Sequence, residues 1–179
     1  MIKGTNVNLR HVTSDDLPTL INLINDLSLR GEYLQVDMVS PVNFERKFAQ
    51  DGRSTGDTAT LVMTDKASNL IGKISYFPSV PYFSALEIGY HLFSPDLRNR
   101  GIATEAVRLM TDYLFSTKPL NRLEIRLDVR NIASEKVAVK CGFQKEGVAK
   151  GANFVRGKYV DMAVYALLRQ EWTGPGPTP

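Results

Sequence analysis

Leu97-Arg98-Asn99-Arg100-Gly101-Ile102-Ala103-Thr104-Glu105-Ala106 joins two stretches of different periodicity. Before it, Phe83 to Phe93 alternates as a strand does. Leu86, Ile88, Tyr90 and Leu92 share one face; Ala85, Glu87, Gly89 and His91 share the other. After it, Ala103, Ala106, Val107, Met110, Tyr113 and Leu114 recur every three or four residues, the apolar stripe of a one-sided helix. The junction is therefore a strand, a short basic loop with one glycine, and a helix. The first amides of a helix have no intrahelical acceptor, and the aligned peptide dipoles put about half a positive charge beside them. With Arg98 and Arg100 added, the run Arg98, Asn99, Arg100, Gly101, Ile102, Ala103, Thr104 makes a cradle suited to a pyrophosphate. A plain solvated helix start has the same composition.

Toward the C-terminus, Arg122 to Val129 alternates Leu123, Ile125 and Leu127 with charged residues and reads as a strand. Ala133 to Cys141 is a short helix closed by Gly142. Phe143 to Val148 and Val160 to Leu168 pair as a terminal hairpin, with Ala149 to Tyr159 as a long connection. Thr173 to Pro179, built of Gly, Pro and Thr, is expected to be a disordered tail. Toward the N-terminus, Thr58 to Thr64 and Leu70 to Phe77 form a hairpin over the turn residues Asp65 to Asn69. Ser40-Pro41 opens a helix with Phe44 and Phe48 on one face. Ser28 to Ser40 has no period and is a loop, preceded by a helix with Leu17, Leu20, Ile21, Ile24 and Leu27 on one face and a strand over Asn6 to His11. The order β-α-α-β-β-β-α-β-α-β-β implies one α/β domain over residues 1–172, with a mixed sheet interrupted by helices.

Composition narrows the function classes. At 179 residues the chain suits one core. A net charge of +3 without a block of Lys and Arg gives no nucleic-acid footprint. No run approaches eighteen apolar residues and the N-terminus does not begin a signal peptide, so a cytoplasmic protein without a membrane anchor is expected, working as a monomer or homodimer. His11 and His91 are the two histidines and Cys141 the one cysteine, which provides neither a metal site nor a disulfide. Cys141, in an apolar helix end, reads as a small buried filler rather than a nucleophile.

Two motifs carry a family resemblance. Arg98-x-x-Gly101-x-Ala103 resembles the acyl-CoA loop of the GNAT acyltransferases, in which small residues let the backbone close on the coenzyme's pyrophosphate. Asn131-x-x-Ser134, with Lys140-Cys141-Gly142-Phe143 after it, is similar to that family's later motif, at the distance a helix plus a strand requires. The resemblance covers about Val7 to Trp172. It is nearest to the branch that includes the ribosomal-protein N-terminal acetyltransferases, through Glu87-Ile88-Gly89-Tyr90 and Asn131-x-x-Ser134. It implies a single-domain GNAT-like fold, a mixed and largely antiparallel sheet flanked by helices, and an N-acetyltransferase using acetyl-CoA.

The resemblance also implies roles. The coenzyme would wedge between the strands Phe83 to Phe93 and Arg122 to Val129, with its thioester near Ile88, Gly89 and Tyr90. A free amide there could polarise the carbonyl. Gly89 would permit the distortion, or is simply a packing gap. Glu87 is the first candidate for the base that takes the amine's proton, His91 the second, and a solvated carboxylate the plain alternative for Glu87. Many relatives carry a tyrosine as acid at the position of Ala138; Ser134 is the natural substitute unless it merely caps its helix. Asn131 would bond the pantetheine or serve a turn, and Lys140 would line the coenzyme. Glu32, Tyr33, Tyr76, Tyr82, Asn153 and Phe154 are candidates to bind a cationic acceptor. The acceptor stays open among a peptide N-terminus, a small amine and an amino sugar. Transfer by direct attack in a ternary complex is the leading reading; a catalytically silent acyl-CoA sensor or interaction module is the alternative.

Overall fold

Strands β1 (Ile2–Lys3), β2 (Asn8–His11), β3 (Ala59–Thr64), β4 (Leu70–Pro78), β5 (Ala85–Leu92), β6 (Arg122–Asp128), β7 (Gln144–Val155) and β8 (Lys158–Leu168) pair into one sheet, in the order β1-β2-β3-β4-β5-β6-β8-β7. The computed structural model describes residues 1–175. Helices α1 (Leu17–Asn25), α2 (Pro41–Asp51), α3 (Ile102–Thr117) and α4 (Ile132–Lys140) complete it. Every strand pair is antiparallel except β5 with β6, and that parallel pair needs the crossover that α3 supplies. The order is the one expected, with the short β1 added through the pairing of Ile2 with Leu9.

Alternation along the strands assigns the two faces. Leu61, Met63, Ile74, Tyr76, Leu86, Ile88, Leu123 and Ile125 are buried with Val107, Met110 and Leu114 of α3 and Ala138 of α4. Val62 and Phe93 point the other way, into a second cluster with Leu20, Ile21 and Ile24 of α1 and Phe44 of α2. A half-buried ion pair fixes the start of α1. Arg10 donates to both oxygens of Asp16 at 2.6 and 2.8 Å, and Asp16 also accepts from the Thr13 amide at 2.8 Å. The hydrogen bonds from Arg10, more than those from Thr13, hold the Asp16 carboxyl down at about 2. A carboxyl depressed in the folded chain adds stability above its unfolded value, lost as pH falls through the folded one. Asp16→Asn is thus expected to cost about 2 kcal/mol at neutral pH and almost nothing near pH 2, by denaturant unfolding at both.

The C-terminal hairpin departs from the long connection expected over Ala149 to Tyr159. β7 continues to Val155, and the chain turns at Arg156 and Gly157, both at positive φ (50° and 82°), the two-residue turn whose twist suits a hairpin. Register shifts between Lys145 and Gly147 and between Ala149 and Asn153 break the alternation that a period-two reading needs. Asp161 Oδ1 accepts from the Gly151 amide at 2.8 Å within the second irregularity. Of the expected tail, Thr173 to Pro175 carry neither helix nor strand, and residues 176–179 lie outside the described residues.

Candidate active site

β5 and β6 pair over only three positions, Ala85 with Arg122, Leu86 with Leu123 and Glu87 with Glu124. Neither strand ends there: β4 follows β5 to Leu92, and β8 follows β6 to Asp128. The two strands therefore diverge after Glu87, and the sheet opens a notch along Ile88, Gly89 and Tyr90 whose edge has main-chain groups without a partner strand. A cleft of about 610 Å³ meets this opening at Tyr90, while Glu87, Ile88 and Gly89 do not line it. Arg98, Asn99, Gly101, Ile102, Ala103, Thr104, Asn131, Ser134 and Lys140 line it from the α3 and α4 side, with Tyr90 and His91 from β5 and Glu32 and Tyr33 from the loop after α1.

The loop into α3 is shaped by two left-handed residues, Asn99 at φ 60° and Gly101 at φ 78°. Glycine takes this conformation without the crowding a β-carbon meets. No side chain caps the helix; the Glu105 amide makes its first bond, to the Gly101 carbonyl at 2.9 Å. The amides of Ile102, Ala103 and Thr104 thus have no intrahelical acceptor. Among the described residues no atom lies within 4 Å of where a β-carbon on Gly101 would sit, so the backbone here is open to a ligand. Arg98 lines the cleft beside these amides, and Arg100 is exposed outside it. Anionic phosphates fit this donor set.

Asn131 and Ser134 stand at the start of α4. Asn131 is the cap: its Oδ1 accepts from the Ser134 amide at 3.0 Å. The Ser134 hydroxyl is free of capping and lies 2.7 Å from the Tyr90 hydroxyl. Burial pushes the Tyr90 phenol up to about 12, so it stays protonated at neutral pH. Ala138 is fully buried in the core and offers no polar group.

On the opposite face, Glu87 has a side chain only 16 % exposed. Burial, opposed by Arg126 and reinforced by Glu124, pushes its carboxyl up to about 7. His91 goes the other way. Burial, then the charge of Lys73, lowers it to about 4, and its Nε2 is buried without a hydrogen-bond partner among the described residues. A neutral imidazole held so low is a poor acceptor for an ammonium proton. Burial raises the Cys141 thiol to about 11, the state of an inert filler.

The acceptor candidates divide. Glu32 and Tyr33 reach the cleft, and the Arg130 guanidinium stands 5.6 Å from the Tyr33 ring centre. Tyr76 is 4 % exposed in the core beneath α3, because it shares the core-facing side of β4 with Ile74. Tyr82 is 80 % exposed and packs edge-on against Phe83. Phe154 packs on Tyr159 at the hairpin end, and Asn153 accepts from Gln35 at 3.1 Å; neither lines the cleft. Gly89 has room for a β-carbon, 3.5 Å from Phe77, so packing does not demand a glycine. Sequence reasoning missed the Tyr90 hydroxyl, Glu124 and Arg126. The signal for the last two was the charged alternation of β6.

A strand pair split beside a basic, uncapped helix start is the geometry expected for an acyl-coenzyme cleft, and residues 6–144 match the acetyltransferase (GNAT) domain family. The chain belongs to the GNAT acetyltransferase family. Membership makes it an N-acetyltransferase with acetyl-CoA as acyl donor. An uncharacterized N-acetyltransferase, p20 of Bacillus licheniformis, is 27 % identical over 155 residues, which are 87 % of this chain and 73 % of p20. The ribosomal-protein-serine acetyltransferase of Escherichia coli is 33 % identical over 110 residues, and the aligned part spans 62 % of this chain and 61 % of that enzyme. A crystal structure of spermidine N-acetyltransferase from Vibrio cholerae, in complex with CoA and spermine, superposes with a TM-score of 0.80 at 21 % identity, covering 94 % of this chain and 98 % of that one. That likeness shows the shared fold.

Proposed function

We propose that this GNAT enzyme acetylates a single primary amine, on a protein N-terminus or a small molecule, by direct attack in a ternary complex. The observation that carries the reading is the notch, with Glu87 on one face of the sheet and Ser134 on the other. Acetyl-CoA supplies the activated acetyl group as a thioester. Arg98 and the amides of Ile102 to Thr104 would hold its pyrophosphate, with Asn131 and Lys140 along the cleft. The main-chain edge at Ile88 to Tyr90 offers donors for the charge that develops on a carbonyl oxygen. Glu87, near neutrality, accepts the amine's proton directly or through water. Ser134, held by Tyr90, donates toward the departing sulfur. The single free Cys141 suits the reducing cytoplasm.

Charge favours one amine over a polyamine. Asp128 is taken by Arg130 at 2.6 Å, and Glu124 by Arg122 and Arg126 at 2.9 and 3.0 Å. Glu32, beside Tyr33, and Glu87, near Arg126, are the carboxylates left to meet an amine. Release of free CoA with a panel of peptides, amino sugars, small monoamines and polyamines tests the assignment. A monoamine or peptide N-terminus should be turned over faster than spermidine. Faster turnover of spermidine overturns the acceptor reading; coenzyme binding without turnover of any amine favours a silent sensor, for which Ala138 is the supporting feature.

Ser134→Ala is expected to lower kcat by about a hundredfold, the lower range for a positioned acid, with the affinity for CoA unchanged. Tyr90→Phe, which keeps the ring and loses the contacts to Ser134 Oγ at 2.7 Å and to its carbonyl at 3.3 Å, the first worth about 1 kcal/mol to the hydroxyl's placement, should lower kcat about fivefold. In the double variant the Tyr90 effect should vanish, because the hydroxyl it orients is gone. Steady-state kinetics on the four proteins checks this.

A further inference from the structure

Glu87 and Glu124 are register partners on the parallel pair and so point to the same face, at the last position before the strands part. Their surroundings differ. Glu124, 2 % exposed, accepts from Arg122 Nε at 2.9 Å, from Arg126 Nη2 at 3.0 Å and from the Ser79 hydroxyl. Arg126 Nη2 also donates to Ser79 Oγ at 3.1 Å, and Arg122 reaches outward to Glu146 on β7. Glu87 has one charged contact among the described residues, Arg126 Nε at 3.4 Å. That Nε is buried without a hydrogen-bond partner, so the contact is charge proximity alone. From β4 Glu87 faces Phe77, its apolar register partner, and the next residue on its own face is Gly89.

We propose that Glu124 is a positioning residue for the transfer: it takes the hydrogen bonds of both neighbouring guanidinium groups and leaves Glu87, the adjacent carboxyl, with only the charge contact of Arg126 Nε and with its proton exchangeable. The inference rests on the reading of Glu87 as base. Two carboxylates side by side are driven apart in proton affinity when one is fully hydrogen-bonded and the other is not. Glu124 is accordingly held low, where the bonds from Ser79 and Arg126 outweigh its burial. Arg126 sits between the two and its allegiance decides the difference. With Glu124 neutral, Arg126 would turn to Glu87 and fix it as a weakly basic carboxylate.

The test is a pair of variants with opposite expectations. In Glu124→Gln the acid limb of kcat/KM should move to lower pH by about 1 unit or more, since a like charge is removed and a cation freed. In Arg126→Met the limb should move to higher pH, since the one nearby cation is lost. The Glu87 carboxyl, followed by ¹³C NMR in the free protein, should show the same two shifts without any turnover. A merely structural role for Glu124 would lower rates evenly and leave both limbs in place; unmoved limbs, or two shifts of one sign, overturn the proposal. Should Glu124→Gln fail to fold, Arg126→Met and its carboxyl titration still decide it. Glu87→Gln separates the two levels: if the limb survives there, the titrating group is not Glu87 and the base assignment falls, whatever Glu124 does.

Discussion

Gly101→Glu is expected to abolish coenzyme binding while the chain stays folded. Three effects act together. At φ 78° a residue with a β-carbon is strained by about 1 kcal/mol, which the fold tolerates because no neighbouring atom lies within 4 Å of the new carbon. Because Gly101 lines the cleft, a glutamate side chain placed there has room to reach into it. A carboxylate at a helix start is itself favourable, so the new side chain would satisfy the amides of Ile102 to Thr104 that a phosphate otherwise takes. Losing two such charge-assisted bonds at about 1.5 kcal/mol each weakens binding about a hundredfold, before repulsion between the carboxylate and the phosphates is counted. Calorimetric titration with CoA checks the affinity, and thermal unfolding checks the fold. Wild-type affinity in a folded variant would remove the helix start as the phosphate site. Gly101→Ala brings the strain without the charge and should cost much less.

The strand, loop and helix around Gly101 were legible because they depend on local chemistry. A period of two, a basic loop with a glycine, and a period of 3.6 follow one another within thirty residues, and each reads correctly alone. The faces of β5 were legible for the same reason: Leu86 and Ile88 went to the core and Glu87 to the other side. What stayed hidden depends on distant partners. Tyr76 carries the same aromatic signature as Tyr33, but its exposure is decided by α3 covering its strand. Ser134 was open to a capping role, but α4 begins at Ile132, which puts Asn131 at the cap and Ser134 in the first turn, where its hydroxyl meets that of Tyr90, forty-four residues earlier. β7 was read too short because bulges disrupt alternation while leaving pairing intact. The state of Glu87 was beyond any reading of its own strand, since burial in the assembled sheet raises it and Arg126 and Glu124, on a strand distant in sequence, then adjust it.

Glu87→Gln is expected to lower kcat/KM by about a hundredfold near pH 7 to 8, within the range for loss of a positioned base, with CoA affinity unchanged. The pH dependence carries the diagnosis. A carboxyl raised to about 7 is an effective acceptor only above that pH, so the wild-type rate should climb through an acid limb near 7. The variant should lose that limb and rise with the acceptor amine's own ionisation, so that the deficit narrows toward pH 9 and above. Stability should move in the opposite sense. A carboxyl whose folded value is raised from 4.5 to about 7 stabilises the fold fully below 4.5, and this contribution is lost as pH rises through about 7. By that linkage the buried charge costs up to about 3 kcal/mol at pH 8, and the neutral glutamine escapes it. Glu87→Gln is therefore expected to be less active and more resistant to unfolding at pH 8, with little change in stability at pH 4. A loss of activity caused by misfolding cannot give that pair of results. A variant with the wild-type rate across this range would remove Glu87 as the base, and one destabilised at pH 8 would contradict the burial that makes it one.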